Sequence, residues 1–353
     1  MNKLYKWCLL SCMAATLSSC NDFLTEENPS GLTADTFYKT ESGAEALINS
    51  CYTPLRFWYG QEYATSMTEL GTDIFTRGNG CAEAELSDYN SSLQGSSNAI
   101  TKEWERLYSA LNTCNTALNR LPSSELSASV KDIRMGEAYF LRALYLWHIV
   151  ETWGGVYLTT EECTEPSGYV YRSSEEDFYT QIIADLKEAL AKLPVSTSDY
   201  GRATKGAALA YIARTKLYAA SKLNNPSMDR KKWEDARDAL SAVMGLNIYD
   251  LYYDTQNPEL SYAHYFCERK TKENIYTYLL AANATMHSNL PQGAPWNEKS
   301  YVGCTPTQNL VDAYDMKDGT EPITGYDANG QPIINKNSGY DDKNPYENRD
   351  PRL

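Results

Sequence analysis

From position 133 to 158 the chain reads IRMGEAYFLRALYLWHIVETWGGVYL, and within 138–150 only Arg142 and His148 break the apolar run. A helix that is apolar on nearly every side must be wrapped by other helices, so this stretch predicts a mainly all-α fold organised around it. The run is too short and too interrupted to span a bilayer. It ends at Gly154-Gly155, where a residue with positive φ can stop a helix without steric cost.

The pattern returns 72 positions later. Ala138-Tyr139-Phe140-Leu141-Arg142 is echoed by Ala210-Tyr211-Ile212-Ala213-Arg214, and Ala117-Leu118 with Leu121-Pro122 by Ala189-Leu190 with Leu193-Pro194. A unit of two helices therefore occurs twice, each first helix closing at Leu-Pro. Units that stack because none can bury its apolar faces alone point to a tetratricopeptide-like array. Trp104, Leu107, Tyr108, Leu111, Leu118 and Leu121 mark the first helix of the first unit, and the central helix is its second. The second unit is expected over 177–193 and 203–220, where Gly206, Ala210 and Ala213 form a small-residue edge for a neighbouring helix. A further helix over 231–243 could open a third unit.

Outside the repeats the signals are more local. Ser42-Gly43-Ala44-Glu45 reads as a capping box, followed by Ala44, Leu47, Ile48, Cys51 and Tyr52 on one apolar face and by Pro54 near the end. Residues 71–99, rich in Gly, Ser and Asn, read as a long loop carrying Tyr89 and Asn90. Beyond Gly245 the texture changes to aromatics and turns, and Thr305-Pro306 is expected to start a short helix around Leu310, Val311 and Tyr314. Asp327-Ala328-Asn329-Gly330 fails as a calcium loop, because its glycine comes two positions early and no closing Glu follows. It reads as a turn between short strands.

At the N-terminus, Lys3 and Lys6 precede an apolar stretch over 7–17 and then Leu17-Ser18-Ser19-Cys20. This is the pattern of a signal peptide over 1–19 ending in a bacterial lipobox, with lipid attached at Cys20. Acyl chains on that cysteine would hold the domain at a membrane. Six widely scattered cysteines follow, with no C-x-x-C pair for zinc, and Cys51 and Cys114 sit among apolar residues as small hydrophobes. Thirty-two basic against 46 acidic residues give a net charge of −14, which disfavours nucleic acid as a partner. The 28 tyrosines against seven phenylalanines suit sugar-like ligands, although helix packing accounts for most of them.

Several of these stretches together resemble the SusD/RagB family of outer-membrane lipoproteins. They are the lipobox with Asn21-Asp22-Phe23-Leu24, EAYFLRALYLWHIVETWGGVYL at 137–158, GRATKGAALAYIARTKLYAAS at 201–221, TPTQNLVDAYDMKDG at 305–319, and Asn348-Arg349-Asp350-Pro351-Arg352. The resemblance implies a signal peptide at 1–19, an N-terminal region with tetratricopeptide-like helix pairs over 20–228, and the start of the family's C-terminal region over 229–353. The family continues beyond the Arg-Asp-Pro-Arg signature, so the sequence reads as C-terminally incomplete. Such proteins are lipid-anchored in the outer membrane and exposed at the cell surface. They capture glycans, or in some branches peptides, for a SusC-like TonB-dependent transporter, and they perform no chemistry and need no cofactor. A tetratricopeptide-like envelope scaffold that binds only proteins is a further alternative.

Catalysis finds little footing in the residues. Glycan hydrolysis would need two carboxylates placed across a cleft, and Glu161-Glu162 and Glu175-Glu176 read instead as solvated loop or helix-start charges. His148, His264 and His287 are isolated in the sequence, and neither a G-x-S-x-G turn nor a phosphate-cradling glycine loop is present. For ligand binding, aromatic rings beside amides on loops offer flat faces to sugar C–H bonds and partners for hydroxyls. Trp296 with Asn297 and Tyr301 is the first such candidate, and Tyr89 with Asn90 the second.

Overall fold

The computed structural model describes residues 33–56, 72–77, 94–164, 168–279 and 304–353. A short helix α1 (Ala34–Phe37) leads into α2 (Glu41–Tyr52). The array continues through α3 (Asn98–Arg120), α4 (Ala128–Trp153), α5 (Glu175–Lys192), α6 (Lys205–Ala220) and α7 (Arg230–Met244). From α3 onward each helix packs on the next, α2 packs on both α3 and α4, and α6 also touches α4. This is the expected helix-pair array, and α4 lies at its centre.

The apolar run explains that position. Phe140, Leu141, Leu144, Tyr145, Leu146 and Ile149 are all fully buried, although they point to different sides of α4. Leu111 and Cys114 of α3, Phe178 and Ile182 of α5, Ala207 and Ala213 of α6, and Leu47 and Cys51 of α2 share the same core. Each large side chain removed from water in this way contributes about 1.5–3 kcal/mol. The Tyr145 hydroxyl, buried with its ring, donates to the Cys51 carbonyl at 2.6 Å and so ties α4 to α2. Cys51 and Cys114 are buried free thiols, in keeping with a small-hydrophobe role. No helix among the described residues is long and apolar enough to cross a membrane.

Local signals set the helix ends, with some shifts from expectation. The cap of α2 is Thr40 rather than Ser42: its hydroxyl accepts from Gly43 N at 3.1 Å, and the helix begins two residues early. A capping box does occur at α5, where Ser174 and Asp177 satisfy each other's amides at 2.9 and 3.1 Å. Glu175 and Glu176 fall in the first turn of that helix, as helix-start charges. Helix α4 stops at Gly154, whose φ is +67°. The small-residue edge of α6 also receives something other than a helix. A Cβ at Gly206 would lie 1.8 Å from the Tyr249 hydroxyl oxygen, so it is a tyrosine ring that seats against this glycine.

The expected loop over 71–99 contains a strand. β1 (Phe75–Arg77) pairs antiparallel with β2 (Cys304–Pro306), so Thr305-Pro306 belongs to a strand and does not begin a helix. The helix follows as α9 (Gln308–Asp312), capped by Thr307, after an earlier short helix α8 (Ser261–Tyr265). β3 (Ile323–Tyr326) and β4 (Pro332–Ile334) flank the turn at 327–330, as expected. There the Asp327 carboxylate accepts from the amides of Asn329 and Gln331, which makes it a turn anchor.

Candidate functional site

The binding candidates Tyr89, Asn90, Trp296, Asn297 and Tyr301, and the lipidation candidate Cys20, lie outside the described residues. For the binding candidates the chain on either side is described, and the β1–β2 ladder pairs the segment before the first stretch with the segment after the second. Phe75 pairs with Pro306, Thr76 with Thr305 and Arg77 with Cys304. In an antiparallel pair the exit from one strand and the entry to the other share an end. The chain therefore leaves toward position 89, and arrives from position 301, at the same end of the ladder. Thr307 locks the other end. Its amide donates to the Ile74 carbonyl at 2.9 Å, its hydroxyl donates to the Asp73 carbonyl, and the same hydroxyl accepts from Leu310 N.

The charged residues of the family-like stretches hold helices together. Glu137 of α4 is 1% exposed and accepts from Arg134 at 2.8 Å and from Arg202 at 2.7 Å. Arg134 and Arg202 in turn reach Glu45 and Asn49 of α2 at 2.8 Å. Burial lifts the Glu137 carboxyl above the usual carboxylate range even though both guanidiniums oppose the shift. Arg142, the first break in the apolar run, meets Asp185 of α5 through two hydrogen bonds and also donates to Asn115 and to the Thr160 carbonyl. Its repeat counterpart Arg214 is exposed and lies 4.1 Å from the centre of the Trp147 ring. One arginine position in the repeat thus serves an ion pair inside the array and a cation–π contact at its edge.

The residues weighed for catalysis also have structural partners. Glu162 is not simply solvated: both of its oxygens bind Arg120 at 3.1 Å. His264 is not isolated either, since Nδ1 lies 2.6 Å from Asp254 Oδ2. This pair holds Asp254 down to about 2, chiefly through the His264 bond and then the amides of Gln256 and Asn257. The nearby Ser261 hydroxyl donates to the Pro258 carbonyl and accepts from Asp254 N. His148 sits in the central helix with its pKa pushed down to about 3, first by burial and then by the Arg214 charge. His287 lies outside the described residues. Among the described residues no cluster of His, Cys, Asp and Glu could hold a metal ion.

A cavity of about 400 Å³ opens between residues 195–204, which join α5 to α6, and residues 270–277. Sequence reasoning did not single it out. The available signal was Arg269-Lys270-Thr271-Lys272, a basic run in an acidic chain.

The family described as starch-binding and associating with the outer membrane, SusD-like, matches residues 22–217, more than half of the chain, and the chain belongs to that family. SusD-like protein P25 of Formosa agariphila is 26% identical over 274 residues, which cover 73% of this chain and 49% of that protein. The crystal structure of a SusD-like protein from Bacteroides fragilis superposes with a TM-score of 0.69 at 27% identity, covering 90% of this chain and 60% of the other. A laminarin-binding SusD-like protein matches with a TM-score of 0.52 at 28% identity, over 59% of this chain and 44% of that one. The chain spans about half the length of the curated relatives it matches.

Proposed function

We propose that this chain is a non-catalytic glycan-capture lipoprotein. Anchored through lipid on Cys20 at the outer membrane and exposed at the cell surface, it delivers oligo- or polysaccharide to a SusC-like TonB-dependent transporter. The observation that carries the reading is the β1–β2 ladder, whose one end sends the chain toward Tyr89 and Asn90 and receives it from Trp296, Asn297 and Tyr301. The ladder sets Arg77 and Cys304, more than 200 residues apart in sequence, side by side. Aromatic faces beside amides are the chemistry that sugars need. Membership of a family described as starch-binding supports the same ligand class, as does the similarity to a laminarin-binding protein. The helical array supplies rigidity, with its charged motif residues spent on helix contacts.

Affinity electrophoresis tests the reading. The natural chain from Asn21 onward, without lipid, is run through gels containing laminarin, starch, xylan and polygalacturonate. Retardation by at least one glycan, lost on Trp296→Ala and weakened on Tyr89→Ala, is the expected result. Free migration in every gel would remove the glycan-capture reading, and retardation indifferent to both substitutions would remove the two aromatic–amide stretches as its platform.

A further inference from the structure

The cavity between 195–204 and 270–277 has a composition unlike the chain that builds it. The protein carries 46 acidic residues against 32 basic ones, yet this lining holds Arg202, Lys270 and Lys272 and no carboxylate. The Arg202 charge is already met by Glu137 and Asp199, at 2.7 and 2.5 Å. The two lysines are different. Both are exposed, and neither forms an ion pair among the described residues; Lys270 Nζ instead lies 5.0 Å from the centre of the Tyr200 ring. A site with two uncompensated cations at its rim attracts an anion.

The interior adds direction. Tyr200, Tyr249 and Tyr276 bring aromatic surface to the lining. Gly201, at φ +103°, turns the chain between Tyr200 and Arg202, a conformation that L side chains rarely adopt. Thr204 is the N-cap of the sixteen-residue helix α6 but makes no side-chain cap. Thr204 lines the cavity, and its hydroxyl oxygen is buried with no hydrogen-bond partner among the described residues. An unpaired buried hydroxyl costs stability, and rotation of the Thr204 side chain toward the cavity would let a ligand oxygen or hydroxyl satisfy it. The positive end of α6 at the same place favours negative charge.

Resting on the glycan-capture reading, we infer that this cavity binds an acidic sugar unit of the captured glycan. Its carboxylate or sulfate ester pairs with Lys270 and Lys272, its pyranose face lies on a tyrosine ring, and a ring oxygen or hydroxyl meets Thr204. A volume of about 400 Å³ is ample for one or two sugar rings.

The test is isothermal titration calorimetry on the natural full-length chain without lipid. Oligogalacturonate supplies carboxylate, a sulfated galactan oligosaccharide supplies sulfate, and a neutral galactan oligosaccharide supplies neither. One anionic ligand should bind roughly tenfold or more tighter than the neutral one, and its affinity should fall as salt rises. Lys270→Gln with Lys272→Gln should remove roughly tenfold of that affinity. Because both side chains are exposed, the melting temperature of this variant should stay unchanged. The carboxylate and sulfate arms identify which group is read. Equal binding of neutral and anionic ligands, or anionic binding untouched by the double substitution, overturns this inference and leaves glycan capture standing. If no glycan binds, charged or neutral, in either calorimetry or electrophoresis, both readings fall.

Discussion

Arg142 and Asp185 face each other inside the helical array with two hydrogen bonds, 2.8 Å from Nε and 2.6 Å from Nη2, and both side chains are more than 90% buried. Asn115 and Gln181 complete the cluster, at 3.1 Å from the guanidinium and 2.9 Å from the carboxylate. Burial nevertheless lifts the Asp185 carboxyl above its usual range, against the pull of Arg142. The pair therefore matters more for what happens when it is broken than for net stability. Arg142→Met alone strands a buried carboxylate and should cost about 3–5 kcal/mol. Arg142→Met with Asp185→Leu should cost markedly less, because no lone charge remains. Urea unfolding of the soluble chain measures both, and equal losses in the single and double variants would contradict the argument.

Gly206 and Tyr249 make a second testable contact. A Cβ at Gly206 would stand 1.8 Å from the tyrosine oxygen and 2.6 Å from Cζ, so neither side can accommodate it without moving. Gly206→Ala should destabilise by about 1–3 kcal/mol despite the better helix propensity of alanine. Adding Tyr249→Ala should relieve the overlap, so that the second substitution costs less in the Gly206→Ala background than in the parent. Thermal unfolding of the four chains closes that cycle.

The helical half of this architecture was legible because its signals are local. Side chains at helical spacing, Leu-Pro stops and a repeated Ala-aromatic-x-x-Arg pattern need no partner to be read. The β1–β2 ladder left no such trace. Each strand is three residues long, and Thr76 and Thr305 meet across a gap far longer than any sequence periodicity can report. The cap shift at α2 has a similar cause, since Thr40 and Ser42 both offer a hydroxyl and only the backbone of Phe37–Thr40 selects between them. The cavity was hidden because Tyr200 and Lys270 become neighbours only after α6 and α7 have folded between them. What the sequence did offer for a site, the aromatic–amide stretches at 89–90 and 296–301, follows from chemistry rather than from position in the fold.

His148 should make stability depend on pH. Its pKa is pushed down to about 3 in the folded chain from an ordinary value of about 6.5. Below 6.5 the unfolded chain takes up a proton that the folded chain refuses, so this contribution is fully present above 6.5 and declines as pH falls toward 3. Between pH 7 and 5.5 the loss amounts to about 1 kcal/mol. His148→Gln, which cannot titrate, should flatten the pH dependence by that amount over the same interval. Chemical denaturation at several pH values provides the slopes, and identical slopes for parent and variant would refute the assignment.

Arg349, within the Asn348–Arg352 signature, is expected to control a local rather than a global equilibrium. It is 6% exposed and donates to the carbonyls of Pro345 at 2.8 Å, Val311 at 2.8 Å and Tyr314 at 2.6 Å. The last two carbonyls lie at and just beyond the C-terminal end of α9, where helices leave such groups short of intrahelical partners, and the Val311 carbonyl also accepts from Tyr314 N. Around it, Lys317 N donates to the Asn348 carbonyl at 2.7 Å and Asp350 N to the Asp315 carbonyl at 2.9 Å. The guanidinium thus fastens the last described segment to the α9 turn, and the signature is structural in this respect. Lysine cannot reproduce a planar fork that reaches three carbonyls. Arg349→Lys should therefore cost about 2–3 kcal/mol locally, the scale of hydrogen bonds to a charged group. Hydrogen exchange should quicken for the amides of Lys317 and Asp350, while those of α4 and α5 keep their protection. Uniformly faster exchange across the helical array would show instead that Arg349 supports the whole fold.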